Sequence, residues 1–304
     1  MKFGLGMPAL ILYPPVMSPW EPEATGADIL RIARRADELG YHWLTVPEHI
    51  VMPQEMAEIM GPRYPEALAA AAVLAGATTK IHILTYILVL PYRNPVILAK
   101  QIATLDFLSG GRITLGTAAG HLEREFDMLG VPFHERGALT DEYLLAMKEL
   151  WTSNEPSFRG RYVEFEKIAF EPKPVQKPHP PILIGGNSKP AMRRAAKLGD
   201  GWLPWLISRQ QLPAALSYIR EQSGFLEPFE VVMPLAPLNV EDYTHRELGK
   251  TRAPRSRDAI IEEIGLLDEA GATGTLVAPP RTPSVEAFLE WTEWFAREVM
   301  PAFR

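Results

Sequence analysis

Glu48 and His49 stand side by side in Val46-Pro47-Glu48-His49. An imidazole titrates near neutral pH and can give or take a proton, so a carboxylate next to one marks a candidate acid–base site. A capping or salt-bridging pair would use the same two residues. A second stretch, Ile184-Gly185-Gly186-Asn187-Ser188, lets the backbone come close to a ligand. Asn187 or Ser188 there can cap a helix whose first N–H groups would face an anion such as a phosphate. It does not have the spacing of a Walker loop. In Leu115-Gly116-Thr117-Ala118-Ala119-Gly120-His121 the small residues leave room for a flat ring or a chain of polar groups, with His121 as a second imidazole. A tight turn carrying an exposed histidine is the plainer alternative. Thr85-Tyr86-Ile87-Leu88, in isolation, is only a strand. The chain has no cysteine, which excludes thiolate chemistry, iron–sulfur clusters and zinc–cysteine sites. No His-x-His follows the first strand, no helix pairs His or Glu at metal spacing, and no Gly-x-Ser-x-Gly elbow occurs. A metal-dependent barrel hydrolase and a serine hydrolase are therefore disfavoured, and no metal is expected.

These residues need elements to aim them, and the chain alternates short apolar runs with helical patterns, the signature of βα units. Eight strands are predicted at Lys2–Pro8, His42–Pro47, Ile81–Leu90, Arg112–Thr117, Pro181–Ile184, Gly201–Leu203, Phe229–Leu235 and Thr273–Val277. Helices follow at Ala27–Leu39, Pro65–Ala77, from Asn94 to Leu108, Arg136–Trp151, from Ser188, Arg209–Gln222, Asp258–Ala270 and from Thr282. Strict alternation over eight units favours a closed (β/α)8 barrel, one domain over residues 1–304, rather than a doubly wound sheet. Insertions are expected after strands 2, 4 and 7. Residues 50–64 and 236–256 are long for βα loops and read as covers over the mouth, and residues 153–179 form a proline-rich excursion with a hairpin near Ser157–Tyr162. In such a barrel the active site lies at the C-terminal ends of the strands. That puts Glu48–His49, Gly116–His121 and Gly185–Ser188 at the mouth. It sends the nucleotide-loop look-alike Ser109-Gly110-Gly111-Arg112 to the opposite end, as a helix stop with a structural arginine.

Composition sets the frame. The 304 residues are 47% apolar and 22% charged, enough for a large core without disulfides. A net charge of −6 and the lack of long basic runs argue against nucleic acid as a partner. No signal peptide and no membrane span is read, so the expected location is the cytoplasm.

Several stretches resemble the luciferase-like monooxygenases, and in particular their deazaflavin-dependent branch. They are Tyr41-His42-Trp43-Leu44-Thr45-Val46-Pro47-Glu48-His49, Arg93-Asn94-Pro95, Ala103–Arg112, Glu125-Phe126-Asp127-Met128-Leu129-Gly130-Val131-Pro132, His134-Glu135-Arg136-Gly137, Glu171–Pro181 and Leu198-Gly199-Asp200-Gly201-Trp202. The resemblance is close over residues 1–204 and holds only by pattern beyond. It implies a (β/α)8 barrel with an insertion, usually dimeric, using coenzyme F-420, with FMN in sister branches. It places Glu48 and His49 beside the reactive ring, with His49 as proton donor or acceptor and Glu48 orienting or tuning it. It sets a bulge with a non-proline cis peptide at Tyr86–Ile87 behind the ring, with Thr85 alongside. It makes Gly185, Gly186, Asn187 and Ser188 the cofactor-phosphate loop, and Gly116, Ala118, Gly120 and His121 neighbours of the cofactor. His121 departs from the Trp or acid common at its position. The expected activity is hydride transfer between F-420 and a small organic substrate. An FMN-dependent monooxygenase using oxygen, or a non-catalytic flavin-binding relative, are the alternatives.

Overall fold

The computed structural model describes residues 1–14, 16–205, 207–235, 256–277 and 279–303. Its strands are β1 (Lys2–Gly6), β2 (Trp43–Val46), β3 (His82–Thr85), β4 (Leu88–Val89), β5 (Ile113–Ala118), β6 (Phe158–Arg159), β7 (Glu164–Phe165), β8 (Ile182–Gly185), β9 (Gly201–Leu203), β10 (Glu230–Pro234) and β11 (Gly274–Val277). Its helices are α1 (Gly26–Leu39), α2 (Gln54–Met60), α3 (Ala67–Ala77), α4 (Pro95–Ser109), α5 (Glu123–Leu129), α6 (Arg136–Thr152), α7 (Lys189–Leu198), α8 (Leu212–Arg220), α9 (Arg257–Glu269) and α10 (Val285–Glu298).

The large sheet runs β3-β2-β1-β11-β10-β9-β8-β5-β4, and a further β3–β5 pairing closes it. Because β4 continues β3 after a break, this is the expected closed eight-stranded parallel barrel. The predicted strand Ile81–Leu90 is the one that breaks, at Tyr86–Ile87, and the bond there is cis as the resemblance implies. The expected hairpin is present as β6 and β7, and the Glu142 carboxylate of α6 accepts from the turn's Arg161, Tyr162 and Val163 N–H groups at 2.6–2.8 Å. The expected cover at 236–256 falls almost entirely on residues 236–255, outside those described.

Local chemistry starts and stops the helices. Thr25 and Asp28 form a capping box at α1, and Gly40 ends that helix in the left-handed conformation. Asn94 caps α4 by accepting from Val96 and Ile97 N–H, with Pro95 in the first turn. Gly110 stops α4, and the Arg112 guanidinium donates to the carbonyls of Ala75 and Ile81, confirming its structural place at the bottom of the barrel. Two short helices, α2 and α5, do not stand out in the sequence. Each is seven residues long, and α2 buries nothing.

Period-two alternation divides the strand residues between two apolar clusters. Leu5, Leu44, Val46, Ile83, Leu115, Ile184 and Trp202 pack outward under the helices. Trp43, Leu84, Leu183, Leu203, Val232 and Leu276 fill the lumen, with Tyr86 packed against them from above. The plug makes the barrel solid below and leaves chemistry to its upper rim.

Candidate active site

His49, just past β2, has a side chain only 9% exposed, and its Nδ1 lies 2.8 Å from Oε2 of Glu125. Edge-to-face contacts with Tyr64 (4.6 Å) and His121 (6.0 Å) enclose the ring. Glu125, in the first turn of α5, has a fully buried side chain. Its Oε2 also accepts from the Tyr92 hydroxyl at 2.7 Å, and its Oε1 accepts from Ile50 N–H (2.5 Å) and Val51 N–H (3.2 Å). Burial pushes the Glu125 carboxyl up, but the donors around it, His49 and Tyr92 first, outweigh that and hold it below the usual range. Burial and nearby Tyr13 and Glu125 push the Tyr64 phenol up to about 12, so it stays protonated at neutral pH.

The pairing expected of Glu48 and His49 is not what the structure shows. The two side chains leave the loop after β2 in different directions. The Glu48 carboxylate turns away, accepts from Val89 N–H at 2.9 Å and pairs with Arg93, which also meets Glu66. Burial raises the Glu48 carboxyl, opposed by Arg93. Glu48 therefore ties the end of β2 to β4, and Glu125 takes the place beside His49. Glu125 appears in the sequence only inside a stretch that carried the resemblance, and an acid in a short, weakly periodic helix offers no other signal.

Above the lumen plug the next inward-facing layer is small: Gly6, Ala118 and Gly185, with Thr45 and Tyr86. Among the described residues a Cβ on Gly6 would meet only Val277 O, at 3.8 Å. Thr45 is 6% exposed, and neither its hydroxyl nor that of Tyr86 has a hydrogen-bond partner among the described residues. Burial pushes the Tyr86 phenol up, so it remains a neutral donor. Its ring meets Trp205 edge-on at 6.4 Å, while the side chain of Ile87 lies over Gly185. A buried hydroxyl without a partner costs free energy unless something polar meets it. The buried Thr45 hydroxyl and the half-buried Tyr86 hydroxyl face small residues and fit a flat ring with polar edges. Thr45 and Trp205 are additions that the sequence did not single out. Thr45 could have been found from the alternation that turns Trp43 inward.

Other expected cofactor contacts turn out to hold the protein together. The Thr85 hydroxyl donates to Gly116 O at 2.8 Å. A Cβ on Gly116 would stand 2.0 Å from Thr85 O, and one on Gly120 would press on Phe126 and Val89, so these glycines serve packing and not ring access. In the loop after β8, Gly186 has φ +108° and the Asn187 side chain bonds both N–H and C=O of Trp205, joining the loops that follow β8 and β9. Ser188 caps α7 by accepting from Ala191 N–H. The N–H groups of Asn187, Ser188 and Lys189 keep no partner among the described residues. They are exposed at the positive end of the helix, donors of the kind that hold a phosphate. Among the described residues no cluster of His, Asp or Glu could hold a metal ion, and no helix is long and apolar enough to cross a membrane.

This barrel, with its rim of imidazoles, small residues and unpartnered donors, has counterparts among known proteins. The sequence model of the luciferase-like monooxygenases matches residues 7–236, and the chain belongs to that family. It is 32% identical over 217 residues to the Mycobacterium tuberculosis protein Rv0940c, covering 66% of this chain and 74% of that one. It is 33% identical over 162 residues to the FMNH(2)-dependent dimethylsulfone monooxygenase of Pseudomonas putida, covering 52% and 44% respectively. The fold is similar to that of the coenzyme F420-dependent tetrahydromethanopterin reductase of Methanopyrus kandleri, with a TM-score of 0.74, 17% identity, and 100% and 99% of the two chains covered.

Proposed function

We propose that this chain is an oxidoreductase that takes a flavin-type ring, coenzyme F-420 in the first reading, at the mouth of its barrel and moves hydride between that ring and a small organic substrate. The observation that supports it most is the small inward-facing pair Gly6 and Ala118, faced by the hydroxyls of Thr45 and Tyr86, which have no hydrogen-bond partner among the described residues. Those residues would hold the ring, and the free N–H groups at Asn187–Lys189 would hold a phosphate. A deazaflavin has carbon where a flavin has nitrogen at position 5, so when bound it supplies a two-electron hydride carrier that reacts poorly with oxygen. The chain's own part is to exclude water with the aromatic rim, orient the substrate and handle one proton. His49 is the proton-handling group in this reading, with His121 beside it. In solution the protein acts as a homodimer.

The second reading is an FMN-dependent monooxygenase, which the similarity to the Pseudomonas putida enzyme favours. Titrating the purified protein with F-420 and with FMN, followed by ring fluorescence, separates the two. Saturable binding of F-420 in preference to FMN is expected. Preference for FMN transfers the proposal to the second reading, and binding of neither overturns both.

A further inference from the structure

We propose that Glu125 is the positioning residue of this site: one of its carboxylate oxygens orients His49, while the other anchors the first residues of the 50–64 insertion. The hydrogen bonds divide cleanly. Oε2 faces Nδ1 of His49 (2.8 Å) and the Tyr92 hydroxyl (2.7 Å), and Oε1 faces the N–H groups of Ile50 and Val51. Tyr92 and the two backbone amides are donors, and the carboxylate, held ionised, can only accept. His49 Nδ1 must therefore carry the hydrogen. In the neutral imidazole this leaves Nε2 as the unprotonated nitrogen, able to accept a proton.

Glu125 is itself held firmly. It sits on α5, and its neighbour Phe126 is fully buried against the rings of Tyr92 (4.9 Å) and Phe133 (5.2 Å). A proton-transfer group kept in one orientation by a buried partner on a rigid element needs little reorganisation to act. The same carboxylate links the imidazole to the insertion that carries α2 and Tyr64, the residue packed on the His49 ring. The use of this arrangement in catalysis rests on the reading of His49 given above, but the arrangement is testable without cofactor or substrate.

The test is long-range nitrogen–proton NMR on protein labelled at histidine nitrogen, at pH 8, with the His49 signals assigned through His49→Gln. The wild-type ring is expected as the Nδ1–H tautomer; an Nε2–H tautomer overturns the proposal. In Glu125→Ala the ring is expected to change to Nε2–H, and exchange of the Ile50 and Val51 amides is expected to speed up by about 10-fold or more. Tyr92→Phe, which removes a different donor, should leave the tautomer unchanged. A folded Glu125→Ala protein that keeps Nδ1–H and slow exchange overturns the proposal. Where Glu125→Ala fails to fold, Glu125→Gln retains the shape but only one accepting oxygen, so either the tautomer or the amide exchange must move. If neither moves, the proposal falls. Correct tautomers with no ring binding in the titration would overturn the flavin reading and leave Glu125 in place.

Discussion

At the scale of single residues, two histidines share the rim and differ in exposure. His49 is enclosed and bonded to Glu125, while His121 is exposed. If His49 handles the proton, His49→Ala should lower turnover by roughly 100-fold or more, the usual size of a general acid–base contribution. F-420 affinity should change far less, because the free N–H groups at Asn187–Lys189 are untouched. His121→Ala is the comparison: a large loss there and none at His49 would move the chemistry to His121. Glu48 calls for a different experiment. Its buried carboxylate depends on Arg93, so Arg93→Met leaves a buried charge without its partner and should cost about 3 kcal/mol of stability. Urea unfolding reads this directly, and an unchanged midpoint would show that Glu48 is not held by the pair.

At the scale of elements, glycines that look alike in sequence have opposite roles. On β5 a Cβ at Gly116 would stand 2.0 Å from Thr85 O, whereas at Gly265 on α9 nothing among the described residues lies within 4 Å. Gly116→Ala should therefore force apart two strands that share a register and cost roughly 1–3 kcal/mol or more. Gly265→Ala should stabilise by about 0.5–1 kcal/mol, the ordinary helix-propensity gain. Equal effects of the two changes would contradict the strand packing described above. The same contrast explains why the glycines after β5 read as room for a ring. Spacing reveals a missing side chain but not which atoms take up the space.

At the scale of the whole molecule, histidines kept neutral by the fold make stability depend on pH. At the bottom, His42 and His82 stack at 4.9 Å. Burial, with His82 and Lys2 nearby, pushes His42 down to about 4, and burial also lowers His82 and His179. These groups stay neutral in the fold, while the unfolded chain takes up protons as pH falls below about 6.5. The unfolded state then binds more protons, so stability falls as pH drops from about 6.5 towards 4. Urea midpoints at pH 7.5 and pH 5 should differ, and His42→Asn with His82→Asn should shrink the difference; no change would exclude these histidines as the cause. On the barrel's flank, Val73 on α3 and Ile97, Phe107 and Leu108 on α4 are 53–76% exposed. Helices apolar on their outer face usually meet a partner. Sedimentation should give about twice the 34.0 kDa chain mass, and Leu108→Asp should shift it towards the monomer. A wild-type monomer at micromolar concentration would exclude the homodimer.

Amino-acid order alone determined the alternation of strands and helices, the cap Asn94, a cap at Asn187 or Ser188, and the closure of eight units into a barrel, because each rests on local periodicity or on a backbone preference of one or two residues. It also placed His49 and the Gly185–Ser188 loop at the barrel's mouth, since their positions follow from the strands they end, while Tyr86 was marked only by the family resemblance. Only the tertiary structure decided what those side chains touch. Adjacency in the chain suggested Glu48 for His49, but Glu48 bonds Val89 and Arg93, and the acid that reaches the ring comes from Glu125, on a different element. Thr45 and Tyr86 were visible as residues but not as hydroxyls lacking partners among the described residues, because that is a property of everything that surrounds them.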